Sequence, residues 1–319
     1  MKILVTGGAG FIGSHLTEQL IKNDKDVIVI DSMDPYYQRE IKENNITNIK
    51  KIGNFKFFEN DITNANDMEA IIKNESIDTI IHLAAKAGVR ASIQDPISYV
   101  NTNVLGTTIL LELSRKYNVK KFILGSSSSV YGNSQTPFVE DKTKPPLSPY
   151  GSTKMASEVI CSTFNSLYGI ETTALRFFTV YGPRGRPDMA IQKFLTAIEK
   201  SNEIVLFDNG NLRRDFTYVD DIVDAIIKSC GVEQKKFESI NIGNNNPTEI
   251  RYIVKLLEME TGKKAIIKNE SKPSTDPDVT HADISKAKKI LKWEPMTNIE
   301  TGIRETVKWW NTEGKTLYM

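Results

Sequence analysis

Short, continuously apolar runs recur along the chain at residues 2–6, 27–30, 55–59, 78–83, 121–125 and 171–177, with helix-length polar or amphipathic segments between them. Runs that do not alternate suit strands buried on both faces, and the spacers suit crossover helices. This order predicts a doubly wound parallel sheet with helices on both sides and right-handed connections. Ligands then bind at the carboxyl ends of the strands. Those ends carry small or polar residues: Gly7, Asp31, Asp61, Ala84 with Ala85, the serines 126–129, and Thr179. The segment 36–54 is rich in Asn, Lys and Glu and reads as a solvated helix and loop without chemistry. After Tyr181 the stretch YGPRGRPDMA, dense in Pro, Gly and Arg, predicts a loop re-entering the site rather than a domain linker. Residues 214–229 and 239–243 read as a helix and a strand returning to the first unit. The expected division is 1–180 plus about 213–243 for one domain, and about 181–212 with 244–319 for a smaller mixed α/β domain that takes the substrate.

The first strand runs into TGGAGFIGS, where Gly8, Gly10 and Gly13 have the GxGxxG spacing and Gly7, Gly10 and Gly13 the GxxGxxG spacing. Without a Cβ the chain turns sharply there, a pyrophosphate reaches the backbone, and a helix starting at Phe11 packs close to the strand. The N–H groups and positive dipole end of that helix face the anion. A second strand ends in Asp31, whose carboxylate suits an adenosine ribose and repels a 2′-phosphate, so the expected cofactor is NAD rather than NADP. The fold class expected is therefore α/β, Rossmann-type.

With 319 residues the chain has the length for about two domains, and its formal net charge of +1 offers no field for nucleic acid or an acidic membrane surface. The two cysteines, Cys161 and Cys230, lie in apolar or helical patterns and read as packing thiols of a reducing compartment. No apolar run reaches membrane-spanning length, and the chain enters its first strand with no leader pattern, so the expected location is cytoplasmic. No metal site is expected.

Tyr150 and Lys154 form a YxxxK pair in a helical segment after Pro149, on one helix face. A phenol has a pKa near 10, so a tyrosine base at neutral pH needs a depression of roughly 3 units, about 4 kcal/mol, from nearby cations. Lys154 and a positive nicotinamide ring are the expected sources. Ser127, ending the fifth strand, offers a hydroxyl to an alcohol as it becomes a carbonyl, or a proton relay to the tyrosine.

Gly7, Gly10 and Gly13 with Asp31, HLAA (82–85), Ser127, Tyr150, Lys154 and RDFTYVDD (214–221) together resemble the extended short-chain dehydrogenases acting on nucleotide sugars, over nearly the whole chain. AGVR (87–90), SSSSVYG and RFFTVYGPRGRPDMA (176–190) most resemble the UDP-glucuronate 4-epimerases among them. The resemblance implies that Gly7, Gly10, Phe11, Ile12 and Gly13 hold the pyrophosphate, Asp31 the ribose, and Asp61 with Ile62 the adenine. Leu83, Ala84 and Ala85 line the cofactor, and Tyr150 and Lys154 reach the nicotinamide ribose. Arg90, Asn103, Ser127, Ser128, Tyr150, Met189 and Asp276 fall on the sugar-nucleotide side. Arg214 falls where the diphosphate binds, and Phe207, ending the 204–207 stretch, beside uracil. Arg214 with Asp215 as an internal ion pair is the competing structural reading. Many relatives have glutamine where Lys86 stands.

Within the resemblance, Thr179 and Arg186 distinguish uronates from neutral hexoses, a guanidinium being suited to bind both oxygens of a sugar acid. Arg184 is the competing arginine, and a solvated arginine the competing reading. Dehydratases of the family place Asp and Glu, and decarboxylases Glu, after the hydroxyl residue, where this chain has Ser128 and Ser129. The implied reaction is NAD-dependent 4-epimerisation of UDP-glucuronate to UDP-galacturonate through a 4-keto sugar, with tightly held NAD recycled in each turnover. A 4-epimerase of neutral UDP-hexoses and a non-catalytic NAD-binding protein are the alternatives. Apolar helices at 104–117 and 155–168 resemble those that pair relatives into homodimers through four helices.

Overall fold

The computed structural model describes residues 1–233, 235–272 and 277–319. The first half of the chain runs β1 (Lys2–Thr6), α1 (Phe11–Lys22), β2 (Asp26–Asp31), α2 (Arg39–Ile52), β3 (Lys56–Glu59), α3 (Ala65–Glu75), β4 (Thr79–His82), α4 (Val89–Gln94), α5 (Pro96–Tyr99), α6 (Gly106–Lys116), β5 (Lys121–Ser127), α7 (Pro149–Tyr168) and β6 (Glu171–Phe177). There follow β7 (Thr179–Tyr181), α8 (Ala190–Lys200), β8 (Glu203–Phe207), β9 (Arg213–Tyr218), α9 (Val219–Gly231), β10 (Glu238–Ile242), β11 (Pro247–Glu249), α10 (Ile250–Thr261), β12 (Ile266–Glu270), α11 (Ser285–Leu291), α12 (Ile299–Trp309) and α13 (Lys315–Tyr318).

Seven parallel strands form the main sheet in the order β10-β6-β5-β4-β1-β2-β3. The apolar runs do not alternate because both faces are covered. In β1, Ile3 and Val5 enter one core while Leu4 enters the other, and all three are fully buried. Val5 lies opposite Val29 of β2 and Ile81 of β4, so the connection order reverses on either side of β1. A crevice opens at such a switch point, beyond the carboxyl ends of the strands.

A three-stranded sheet, β11-β9-β7, and a parallel pair, β12 with β8, lie outside the main sheet. The stretch expected to open as helix from 214 differs: its first residues form β9, parallel to β7, and the helix starts only at Val219. β-branched and aromatic residues at Phe216, Thr217 and Tyr218 suit a strand, and the acidic pair Asp220 and Asp221 suits a helix's first turn. β10 rejoins the main sheet at its edge beside β6. α2 also departs from expectation, since it buries Ile41, Lys42, Asn45, Ile46 and Ile49 at helical spacing. Its high polar content hid that stripe.

Candidate active site

A cavity of about 820 Å³ occupies the crevice. Its floor is the turn from β1 into α1. Gly7 has φ +72°, and a Cβ there would sit 2.7 Å from the Ala84 backbone nitrogen. A Cβ at Gly13 would meet the Gly7 carbonyl oxygen at 2.2 Å, so only glycine lets α1 start this close to the strand. The result is a backbone cradle at a helix N-terminus, which fits a pyrophosphate. Phe11, Ile12, Asp61, Ile62, Leu83, Ala84 and Ala85 line the same space.

Asp31 is buried, and its carboxylate accepts backbone N–H bonds from Ala9 at 3.1 Å and Met33 at 2.9 Å. The ammonium of Lys42 lies 3.3 Å away, with both side chains under a tenth exposed. Lys42, Tyr36 and Tyr37 all line the cavity, so the segment read as having no chemistry supplies part of its wall. The legible signal was the stripe of α2 that buries Lys42 beside Asp31. A dinucleotide fits this half of the cleft: a Cβ-free cradle for phosphates, and a carboxylate at the end of β2 for a ribose.

The reactive groups sit where α7 meets β5. Ser148 caps that helix by accepting the Gly151 N–H at 3.1 Å, and Pro149 takes the first turn. Tyr150 and Lys154 therefore project from its first two turns, beside the strand end that carries Ser127. All three line the cavity. Burial pushes the Tyr150 phenol above its ordinary value, while a hydrogen bond with Ser127 and the positive charge of Arg186 pull it back. Arg186 is thus a cation acting on the phenol besides the expected Lys154. Lys154 donates to the Gly125 carbonyl at 2.7 Å, and burial pushes its ammonium down to about 8. The Ser127 hydroxyl accepts the Ser129 N–H at 3.1 Å.

On the far side stand Arg90, Ser128, Thr179, Arg186, Met189 and Arg214. Arg186 donates from Nε and Nη2 to the two carboxylate oxygens of Asp188, at 2.9 and 2.6 Å. Asp188 also accepts from the Tyr36 hydroxyl at 3.3 Å. Arg184 points the other way: it pairs through both terminal nitrogens with Glu18 of α1 and lines a separate cavity. That removes it as a rival to Arg186. Lys86 lines the cleft with its ammonium 3.6 Å from Asp34.

Two expected contacts lie behind the wall. Asn103 is buried and brackets the Lys86 backbone, donating to its carbonyl at 2.9 Å and accepting its N–H at 2.8 Å. It shapes the strap that faces the cavity. Phe207 is covered by the Arg90 guanidinium, 5.1 Å from the ring centre, and Arg90 is the one of the two on the wall. The Asp215 carboxylate accepts the backbone N–H groups of Asn244, Asn245 and Ala282, which accounts for its burial. Asp276 lies outside the described residues.

Residues 4–306 match the family model described as GDP-mannose 4,6 dehydratase. The chain belongs to that family, within the extended short-chain dehydrogenases. A UDP-glucuronate 4-epimerase of Thermodesulfobacterium geofontis is 45% identical over 96% of this chain and 95% of its own. The crystal structure of the UDP-glucuronic acid 4-epimerase from Bacillus cereus, in complex with UDP-glucuronic acid and NAD, superimposes with a TM-score of 0.92 at 37% identity, covering 98% and 99% of the two chains. The UDP-glucose 4-epimerase of Thermotoga maritima, with UDP-glucose, gives 0.88 at 35% identity over 99% and 100%. Family membership does not bring the dehydratase's acids to this chain, which has Ser128 and Ser129 after Ser127. No helix among the described residues is long and apolar enough to cross a membrane.

Proposed function

We propose that this chain interconverts UDP-glucuronate and UDP-galacturonate as an NAD-dependent 4-epimerase. The observation that carries the reading is Arg186, which stands in the cavity with its charge acting on Tyr150. A guanidinium there meets a sugar carboxylate while the phenol meets the ring hydroxyl.

In this mechanism Gly7, Gly10 and Gly13 hold the pyrophosphate of NAD and Asp31 with Lys42 its adenosine ribose. NAD bound in the cleft supplies the acceptor and donor of the C4 hydride. Tyr150 removes the proton of the sugar's 4-hydroxyl, and Ser127 donates a hydrogen bond to the oxygen as it becomes a carbonyl. Burial alone leaves the phenol above its ordinary value, so the depression needed for catalysis falls to the Lys154 ammonium and the positive charge of the bound cofactor. Turning the 4-keto sugar presents its other face, so that hydride returned to C4 would invert the configuration there while Tyr150 gives the proton back to the oxygen. The intermediate is a β-keto acid, which Thr179 and Arg186 hold against loss of carbon dioxide. Ser128 and Ser129 provide no carboxyl acid for dehydration or decarboxylation. A neutral UDP-hexose is the second reading, favoured by the Asp188 carboxylate that already balances Arg186.

Residues 1–180 with about 213–243 form the cofactor unit in this account, and about 181–212 with 244–319 the sugar-nucleotide unit. Val100, Leu105, Val159, Leu167 and Tyr168 leave apolar surface exposed around α6 and α7. That surface supports a homodimer through four helices, checked by light scattering on the protein and on Leu167→Glu. The free thiols of Cys161 and Cys230 suit a reducing compartment and support a cytoplasmic location. The assay of the function is the purified protein with UDP-glucuronate and no added cofactor. UDP-galacturonate is expected; UDP-xylose or no conversion contradicts the reading.

A further inference from the structure

On the reading that Tyr150 and Lys154 are the working pair, we propose that Glu158 is their positioning residue: its buried carboxylate holds the Lys154 ammonium in its charged form and fixes the strand end that carries Ser127. Glu158 lies one turn beyond Lys154 on α7 and is 3% exposed. A carboxylate so buried is costly unless its oxygens are bonded. Oε1 accepts from the Ser126 hydroxyl at 2.5 Å and from Arg176 Nε at 3.0 Å, and Oε2 from Arg176 Nη2 at 2.7 Å. Ser126 immediately precedes Ser127 on β5, so this bond ties α7 to the strand residue next to the reactive hydroxyl.

Arg176 is itself held. Its Nη1 donates to the Tyr131 hydroxyl at 2.9 Å and to the Glu140 carbonyl at 2.8 Å, and Tyr131 donates to Asn241 Oδ1 at 2.6 Å. The carboxylate therefore belongs to a network running through β5, β6 and β10, which fixes it one helical turn from Lys154.

The Lys154 ammonium sits close to the edge of its charged range, pushed down to about 8 by burial. From α7 it faces Glu158 and the Cys161 thiol, and both raise it. From β5 the Gly125 carbonyl accepts its proton, and from β4 it faces His82, which is held neutral far below its ordinary value. Arg176, from β6, engages the opposite partner, Glu158. A glutamine at 158 keeps an oxygen for Ser126 and Arg176 but removes the negative charge from Lys154. Its amide nitrogen cannot accept from Arg176 Nη2, so the variant's folded stability is measured beside its pH profile.

The test is the pH dependence of kcat/KM for UDP-glucuronate with the NAD-loaded, full-length protein. Glu158→Gln is expected to move the alkaline limb to lower pH by about one unit, with activity returning on acidification. Glu158→Asp, which keeps the charge, is expected to leave the limb near its original position. An unmoved limb in Glu158→Gln, or an equal shift in Glu158→Asp, overturns the proposal. Should Glu158→Gln fail to fold because Arg176 is left unpaired, Glu158→Gln with Arg176→Gln removes both buried charges and is expected to move the limb in the same direction by less, the lost guanidinium offsetting part of the change; an unmoved limb there also overturns it. Lys154→Met separates this from the underlying reading. Full turnover in that variant removes the reading, whereas loss of turnover with an unmoved Glu158→Gln limb removes the proposal alone.

Discussion

Arg186 and Asp188, two positions apart on one loop, meet through two parallel hydrogen bonds, Nε to Oδ1 at 2.9 Å and Nη2 to Oδ2 at 2.6 Å. The carboxylate fixes the plane of a guanidinium that lines the cavity, and in the proposed reaction that guanidinium reads the sugar carboxylate. Lysine keeps a charge but has no planar fork. Arg186→Lys is therefore expected to lower kcat/KM for UDP-glucuronate by roughly a hundredfold, about 3 kcal/mol, within the range for a broken, desolvated charge pair. Comparison of UDP-glucuronate with UDP-glucose checks it, since equal losses on both would deny Arg186 a role in reading the carboxylate.

Gly13→Ala should disturb both fold and cofactor. The added methyl would lie 2.2 Å from the Gly7 carbonyl oxygen and 2.7 Å from the Gly8 Cα, both backbone atoms that cannot step aside. Overpacking of this kind costs about 1–3 kcal/mol. The expected outcome is a lower unfolding temperature and purified protein carrying less NAD, measured by calorimetry and by acid release of the nucleotide.

His82 makes stability fall in acid. It is buried between Thr6, 2.7 Å from Nδ1, and Thr107, 3.0 Å from Nε2, and burial pushes its pKa from 6.5 to about 3. Half-buried His15 shifts in the same direction. The unfolded chain thus binds more protons than the folded one between about pH 6.5 and 3. Stability is complete above the unfolded value and declines as pH falls through that window, by up to roughly 1.4 kcal/mol per pH unit for each imidazole. Urea midpoints at pH 7 and pH 5 should show the drop, and His82→Asn should make it shallower.

The main sheet was legible because strands covered on both faces advertise themselves as unbroken apolar runs, as in Ile3, Leu4 and Val5. The glycine turn was legible because its steric demand admits one residue type. Harder to see was Lys42, whose function depends on one buried stripe of a helix whose composition is mostly polar. Asn103 and Phe207 sit within one side chain of the cavity, and sequence carries no record of which layer a residue occupies. The choice between Arg184 and Arg186 needed the fold, because only Glu18 on α1, far away in sequence, draws Arg184 to the other side. The charge of Arg186 on the Tyr150 phenol was hidden for a related reason, since 36 residues separate the two in sequence.

The central claim is reversible removal and return of hydrogen at C4 of the sugar. UDP-glucuronate carrying deuterium at C4, incubated with the purified protein in ordinary water without added cofactor, tests it by mass spectrometry and NMR of the product. The account predicts UDP-galacturonate with the deuterium still on C4. Product with that deuterium replaced by solvent hydrogen, or label conversion that persists undiminished in Tyr150→Phe, would contradict it.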